Sequence, residues 1–211
     1  MKPAIIFTIV LFSLTVQRIK GQTASELFAG MPESELLPLT ISDRLDLIDL
    51  YKAGQKAVVK NSYDDSCSVI RLTNDYIEVQ VGNSTTELFL LPMINDSKIV
   101  GLIQTVCAPV CDSYLDFYTI AWKKLTPSIF VTLAGPNDFL KEGINQEDEE
   151  VKNALIPLDI VLSRLHYDPD KQELQQYYTT PDYLSEKDKA SAMSYLKDTP
   201  KLFKWNHIRF E

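Results

Sequence analysis

The chain is short of the residues that enzymes most often use for chemistry. Histidine occurs twice, at 166 and 207, and cysteine three times, at 67, 107 and 111. Zinc takes three or four nitrogen or sulfur ligands, so a zinc centre would have to gather these residues from distant parts of the chain or recruit carboxylates. No Gly-x-Ser-x-Gly elbow and no glycine-rich phosphate loop is present, which removes the motifs of the α/β-hydrolases and of phosphate-cradling loops. Basic residues are outnumbered: 21 Lys and Arg face 29 Asp and Glu, a formal net charge of −8. A surface of that sign repels phosphate backbones and anionic lipid, which argues against nucleic acid as a partner.

Long apolar runs are missing as well. A bilayer span takes roughly 20 apolar residues, and Ala4 to Leu14 is shorter, while later apolar stretches are interrupted by charge or proline. The position of that first run gives it a meaning. Lys2 precedes it, and polar residues and the small Gly21 follow before Gln22, the pattern of a secretory signal peptide over 1–21. Ala24 is an alternative last residue of the signal. No cysteine lies near the cut to carry a lipid anchor. The expectation is an exported mature chain, in the periplasm or outside the cell, with no transmembrane segment. Residues 22–211 are enough for a single domain.

What the chain does have is one dense apolar stretch from Lys98 to Trp122. Two β-rich runs, Ile99 to Val106 and Tyr114 to Trp122, flank Cys107-Ala108-Pro109-Val110-Cys111, which reads as a hairpin. Pro109 suits the turn because its ring presets φ and it donates no hydrogen bond. Opposed residues of an antiparallel pair lie about 4.5 to 5.5 Å apart at Cα, within the span a disulfide bridges. Cys107 and Cys111 are therefore the candidate disulfide, which leaves Cys67 over. Pairing of Cys67 with either of the others stays open on sequence alone.

Around the hairpin the spacing predicts an α+β fold: a curved antiparallel sheet, formed by a meander plus a C-terminal hairpin and closing strand, packed against two amphipathic helices. Ser42 reads as the N-cap of the first helix, with Asp43 in its first turn, Gly54 past its end, and Leu45, Ile48 and Tyr51 at helical spacing. From Gln55 to Asp65 the pattern fades into a loop with room for one strand. Ile77, Val79 and Val81 then alternate with Tyr76, Glu78 and Gln80, and turns at Gly82-Asn83-Ser84 and Asn95-Asp96-Ser97 carry the chain through a four-strand meander. Ile129 to Leu133 suggests one more strand. The acidic run Gln146 to Glu150 has neither the spacing nor the glycine of a calcium loop and reads as a solvated linker or helix start. Leu158 to Tyr167 and Glu173 to Thr179 form a second hairpin, Ser185 caps a helix reaching about Leu196, and Leu202 to Phe210 is the closing strand. Helix beside antiparallel strands in both 22–125 and 151–211, with Thr73-Asn74-Asp75-Tyr76 echoed by Thr180-Pro181-Asp182-Tyr183, raises the question of two similar halves.

Several segments together resemble a known family. Met31-Pro32-Glu33-Ser34, Arg44-Leu45-Asp46 with Asp49, Phe117-Tyr118 before Trp122, Thr180-Pro181-Asp182-Tyr183-Leu184 and Trp205 are similar to an uncharacterised family of exported proteins, a domain of unknown function, from Gram-negative gut anaerobes. The resemblance implies bacterial export and one family domain over nearly the whole mature chain. It assigns no catalytic residue.

Read as chemistry, the residues favour bland roles. A redox dithiol uses the tighter Cys-x-x-Cys spacing and a thiol pKa lowered by a cation or a helix N-terminus, whereas Cys107 and Cys111 lie at a strand turn beside Asp112. Asp46 and Asp49 share the solvent face of the first helix. Tyr177, Tyr178, Tyr183, Tyr195 and Trp205 cluster in the last third, and aromatics are favoured where a surface binds a partner. These five are the candidate interaction surface. No catalytic residue, metal or cofactor is assigned. The function expected is a non-catalytic binding or envelope-associated role, with an envelope protein or a glycan as partner. The alternative is a periplasmic enzyme of thiol–disulfide or metal-dependent hydrolytic type.

Overall fold

A computed structural model describes residues 22–211; the signal-peptide reading of 1–21 lies outside the described residues. Two short helices come first, α1 (Ala24–Ala29) and α2 (Ile41–Lys52). Each is started by a capping box, Thr23 with Glu26 and Thr40 with Asp43, in which the threonine hydroxyl and the third-position carboxylate satisfy each other's free N–H groups. The N-cap of α2 is thus Thr40 rather than Ser42, because Asp43 reaches back three residues to the Thr40 N–H at 2.9 Å. Its buried face is also rotated from the expected stripe: Arg44, Leu47 and Ile48 are inside and Leu45 is exposed.

Seven strands then follow in sequence order as one antiparallel sheet: β1 (Val58–Lys60), β2 (Ser66–Leu72), β3 (Tyr76–Val81), β4 (Ser84–Pro92), β5 (Lys98–Cys107), β6 (Cys111–Thr119) and β7 (Lys124–Leu125). The expected meander is its centre. Strand β2 escapes the alternation test because its register with β3 shifts between Val69 and Arg71, and a bulge of that kind breaks a period of two. The Ile129 region forms no strand. Pro127 opens a single helical turn, α3 (Pro127–Phe130), followed by α4 (Glu149–Leu155), whose N-cap is Asp148 of the acidic run.

A second antiparallel sheet has the order β10-β9-β8, from β8 (Ser163–Asp168), β9 (Glu173–Tyr178) and β10 (Lys201–Lys204), with α5 (Glu186–Met193) inserted before the last. Strand β8 starts at Ser163, five residues after the expected Leu158. The closing strand is shorter than expected too: after Lys204 the chain bends through His207 at φ 71° and returns, and Phe210 bridges Trp205. The two similar tetrapeptides take different shapes, one a turn into β3 and the other a 3₁₀ segment, Thr180–Tyr183.

The large sheet is covered on both faces, which makes the protein three layers deep. Even-numbered residues of β4, Leu88 and Leu90, meet Leu27 and Phe28 of α1 and Leu47 and Ile48 of α2. Odd-numbered Phe89 and Leu91 meet Leu165, Tyr167, Leu174, Phe203 and Phe210 of the second sheet and its tail. Arg44 fastens the helical layer. Fully buried, it donates from Nη1 to the carbonyls of Phe28 and Met31 at 3.0 and 2.6 Å and from Nε to Thr40.

Gly101 fixes the other layer. It pairs with Phe89 across β4 and β5, and a Cβ at this position would meet Phe89 Cε2 and Cζ at 2.3 Å. The Phe89 ring has nowhere to go, since Tyr167 stacks on it at 4.1 Å and Phe210 meets it edge-on. Gly101→Ala is expected to lower stability by about 1–3 kcal/mol, as overpacking does, read as a fall in the urea midpoint at constant m-value. An unchanged midpoint would contradict the close approach.

Candidate binding groove beside the disulfide

Two places concentrate functional side chains. The first is the seam between the sheets. Glu78 and Glu87 face each other across β3 and β4, and the single O–H of Tyr76 is shared between them, at 3.2 and 3.0 Å. Glu87 also accepts the Tyr167 backbone N–H at 3.0 Å and lies 3.2 Å from His166 Nδ1. Burial, and then the charge of Glu87, push the Glu78 pKa up; burial and the two carboxylates push the Tyr76 phenol far above its usual range. The hydrogen bond to Glu87 outweighs burial and holds the His166 proton more tightly than usual. A tyrosine, two carboxylates and a histidine look like acid–base machinery. Here Tyr76 and Glu87 are buried and engaged with each other and the backbone, so the cluster joins layers, with the His166 side chain partly exposed at its rim.

The second place is a groove of about 640 Å³ at the neck of the β5–β6 hairpin. One wall is the turn itself, where a disulfide joins Cys107 and Cys111 and a cis bond precedes Pro109. The opposite wall is α5, through Lys189 and Met193, and the chain beyond it from Leu196 to Thr199. Arg164 of β8 and Tyr177 and Tyr178 of β9 line the same groove. Its parts are tied together by side-chain oxygens. Thr179 donates its hydroxyl to the Cys111 carbonyl at 2.7 Å, and Thr180 bridges the Ile160 carbonyl and the Leu162 N–H. Ser185 caps α5 by accepting from the Asp188 N–H, and Lys189 pairs with Asp182 at 2.8 Å.

The predicted aromatic set divides. Tyr177 and Tyr178 line the groove; Tyr178 is stacked on Phe139 at 5.1 Å, and burial pushes its phenol pKa up. Tyr183 is exposed beside the groove, and Tyr195 is half-buried outside it. Trp205 does not belong to a surface. It is 8% exposed, packed on Phe210 and Phe130, with its indole N–H donated to the Pro92 carbonyl at 2.7 Å. Arg164 is the residue that the sequence reading passed over. It stands opposite Tyr177 in the β8–β9 register and lays its guanidinium 4.6 Å above that ring, a partnership visible only once the register is known. His166 and His207 lie in different settings, one at the seam and one in an exposed bend. Among the described residues no three His, Cys, Asp or Glu side chains are grouped so as to hold a metal ion. Cys67 is free and buried, and burial followed by Asp65 raises its thiol pKa.

Comparison with known proteins gives this architecture relatives. The family model described as "Protein of unknown function (DUF3256)" matches residues 16–210. The chain belongs to that family. Among solved structures it is similar to a domain of an uncharacterized protein from Porphyromonas gingivalis W83, with a TM-score of 0.81 at 24% identity over 90% of this chain and 99% of the other. That likeness shows a shared fold. None of the curated proteins compared with the chain matches it. Among the described residues no helix is long and apolar enough to cross a membrane.

The seam makes a pH prediction. The folded pKa of His166 is raised, so its stabilising contribution is fully present below the unfolded value near 6.5 and is lost as pH rises through the folded value. Unfolding free energy, followed by denaturant titration, should therefore fall as pH rises above about 6.5. His166→Gln should flatten that segment of the profile, and an equal slope in both proteins would contradict the assignment.

Proposed function

We propose that the protein is an exported, non-catalytic binding protein that holds its ligand in the groove beside the Cys107–Cys111 disulfide. The observation that carries this reading is the convergence of an aromatic platform, an exposed cation and apolar walls on one concavity, the usual composition of a binding site. The groove draws on the hairpin neck, the second sheet and α5, so its shape depends on the whole fold, and a fragment of the chain would not form it. An envelope protein or a glycan supplies the partner class. Export is supported by the signal-like residues 1–21 and by a disulfide, which persists in oxidising compartments.

The enzymatic alternative has one observation in its favour, since Cys111 lines the groove together with Asp182 and Asp198. The chemistry works against it. Asp182 is already paired with Lys189, and Asp112, next to the bridge, has its carboxylate on the Ser163 N–H, where a negative neighbour raises a thiol pKa.

An NMR titration of isotope-labelled 22–211 with separate peptide and saccharide collections separates the readings. Binding should move the amides of Tyr177, Tyr178 and Lys197 while the protein fails to accelerate insulin reduction by dithiothreitol. Perturbations confined to other surfaces, or catalysed insulin reduction, would overturn the proposal.

A further inference from the structure

We infer, resting on the groove as a binding site, that its ligand is a peptide bearing a carboxylate, received by the guanidinium of Arg164 above the ring of Tyr177. The charges of the groove point that way. Arg164, Lys189 and Lys197 line it against Asp182 and Asp198, so its balance is positive in a chain whose formal charge is −8. Lys189 is neutralised by Asp182, and Lys197 donates to the Asp138 carbonyl at 3.4 Å. The Arg164 side chain makes no ion pair or hydrogen bond among the described residues, and its contact is the face of Tyr177.

An exposed arginine whose guanidinium rests over a ring is a prepared receptor. The ring supports the cation on one side while its N–H groups make no other bond, and a guanidinium fork matches the two oxygens of a carboxylate. Less side-chain freedom is then lost on binding than for an unsupported cation. Val110, Pro181, Met193 and Leu196 supply the apolar walls, and methionine adapts to side chains of different shape. The groove is thus built for a carboxylate with apolar neighbours, which a peptide provides and a polyhydroxylated sugar does not.

A second cavity, of about 570 Å³, supplies the contrast. Lined by the Ser34–Pro38 segment and the ends of β4 and β5, it contains Glu35 and Asp65 and no cation. An anion has no reason to enter it.

The test titrates labelled 22–211 with four probes: acetyl-Leu-Leu with a free C-terminal carboxylate, acetyl-Leu-Glu-Leu-amide, the neutral acetyl-Leu-Gln-Leu-amide, and glucuronate. One or both carboxylate peptides should shift the Arg164 Nε–Hε signal and the Tyr177 and Tyr178 amides. They should bind about tenfold more tightly than the glutamine probe, and added salt should narrow the difference. Which of the two binds distinguishes a chain terminus from an acidic side chain. Arg164→Gln should abolish the preference, and Arg164→Lys should keep part of it, since a lysine retains the charge without the fork. A glutamine peptide that binds as tightly as the better of the two carboxylate peptides would overturn the inference and leave the groove as a binding site. So would a preference that survives in Arg164→Gln. Shifts with glucuronate alone would replace the peptide by a sugar acid, and no shift with any probe would refute the carboxylate ligand.

Discussion

The protein depends on how one strand edge is received. Strand β8 pairs with β9 on one side, which leaves every second N–H on its other side pointing at the large sheet. No backbone strand meets them. Instead Ser163 donates to Asp112 Oδ1 at 3.0 Å, Leu165 to Ser113 Oγ at 2.9 Å, and Tyr167 to Glu87 Oε2 at 3.0 Å. Left alone inside the protein, each donor would cost about 1–3 kcal/mol, and in water the row would be a template for a foreign strand. Three side-chain oxygens on β4 and β6 solve both problems and join two separate sheets into one body. The oxygens are themselves held, Glu87 by Tyr76 and Ser113 by the hydroxyl of Thr105 at 2.7 Å. The polar row lies beside an apolar seam in which Tyr167 stacks on Phe89 and Phe210 closes the edge.

That docking places the groove. With β8 fixed along β6, the far end of the β8–β9 hairpin comes to rest at the neck of the β5–β6 hairpin, and Thr179 closes the join on Cys111. The disulfide holds the neck, and α5 completes the wall through the Lys189–Asp182 pair. Arg164 alternates with Ser163 and Leu165, so the same register that buries their N–H groups turns its side chain outward over Tyr177. Layer assembly and presentation of the cation are one geometric event.

The parts legible in the sequence are those with local causes. Apolar runs divided by turn residues mark β3 to β6, and the three-residue insert between Cys107 and Cys111 marks the hairpin neck. Capping chemistry marks the helix at Ser185. What the sequence does not display is which faces are covered. Tyr76, Glu78 and Gln80 alternate with Ile77, Val79 and Val81 as the more polar face of β3, yet Tyr76 is fully buried and Glu87, opposite Glu78, is nearly so, because the second sheet lands there. The aromatic cluster divides for the same reason: Trp205 goes into that seam while Tyr177 and Tyr178 stop at its edge. Strand β2 is hidden by its bulge, and Thr40 displaces Ser42 as a cap because either hydroxyl suits the position and only the reach of Asp43 decides. Arg164 is one exposed cation among many until its neighbour across the strand is known.

Amide hydrogen exchange of β8, read residue by residue, tests the central claim most directly. If Glu87, Asp112 and Ser113 hold its outer row, the amides of Ser163, Leu165 and Tyr167 exchange as slowly as those of Arg164 and His166, whose N–H groups face β9. Fast exchange at the three odd-numbered positions beside slow exchange at their neighbours would mean a free edge, and would contradict the account of how the two sheets are joined.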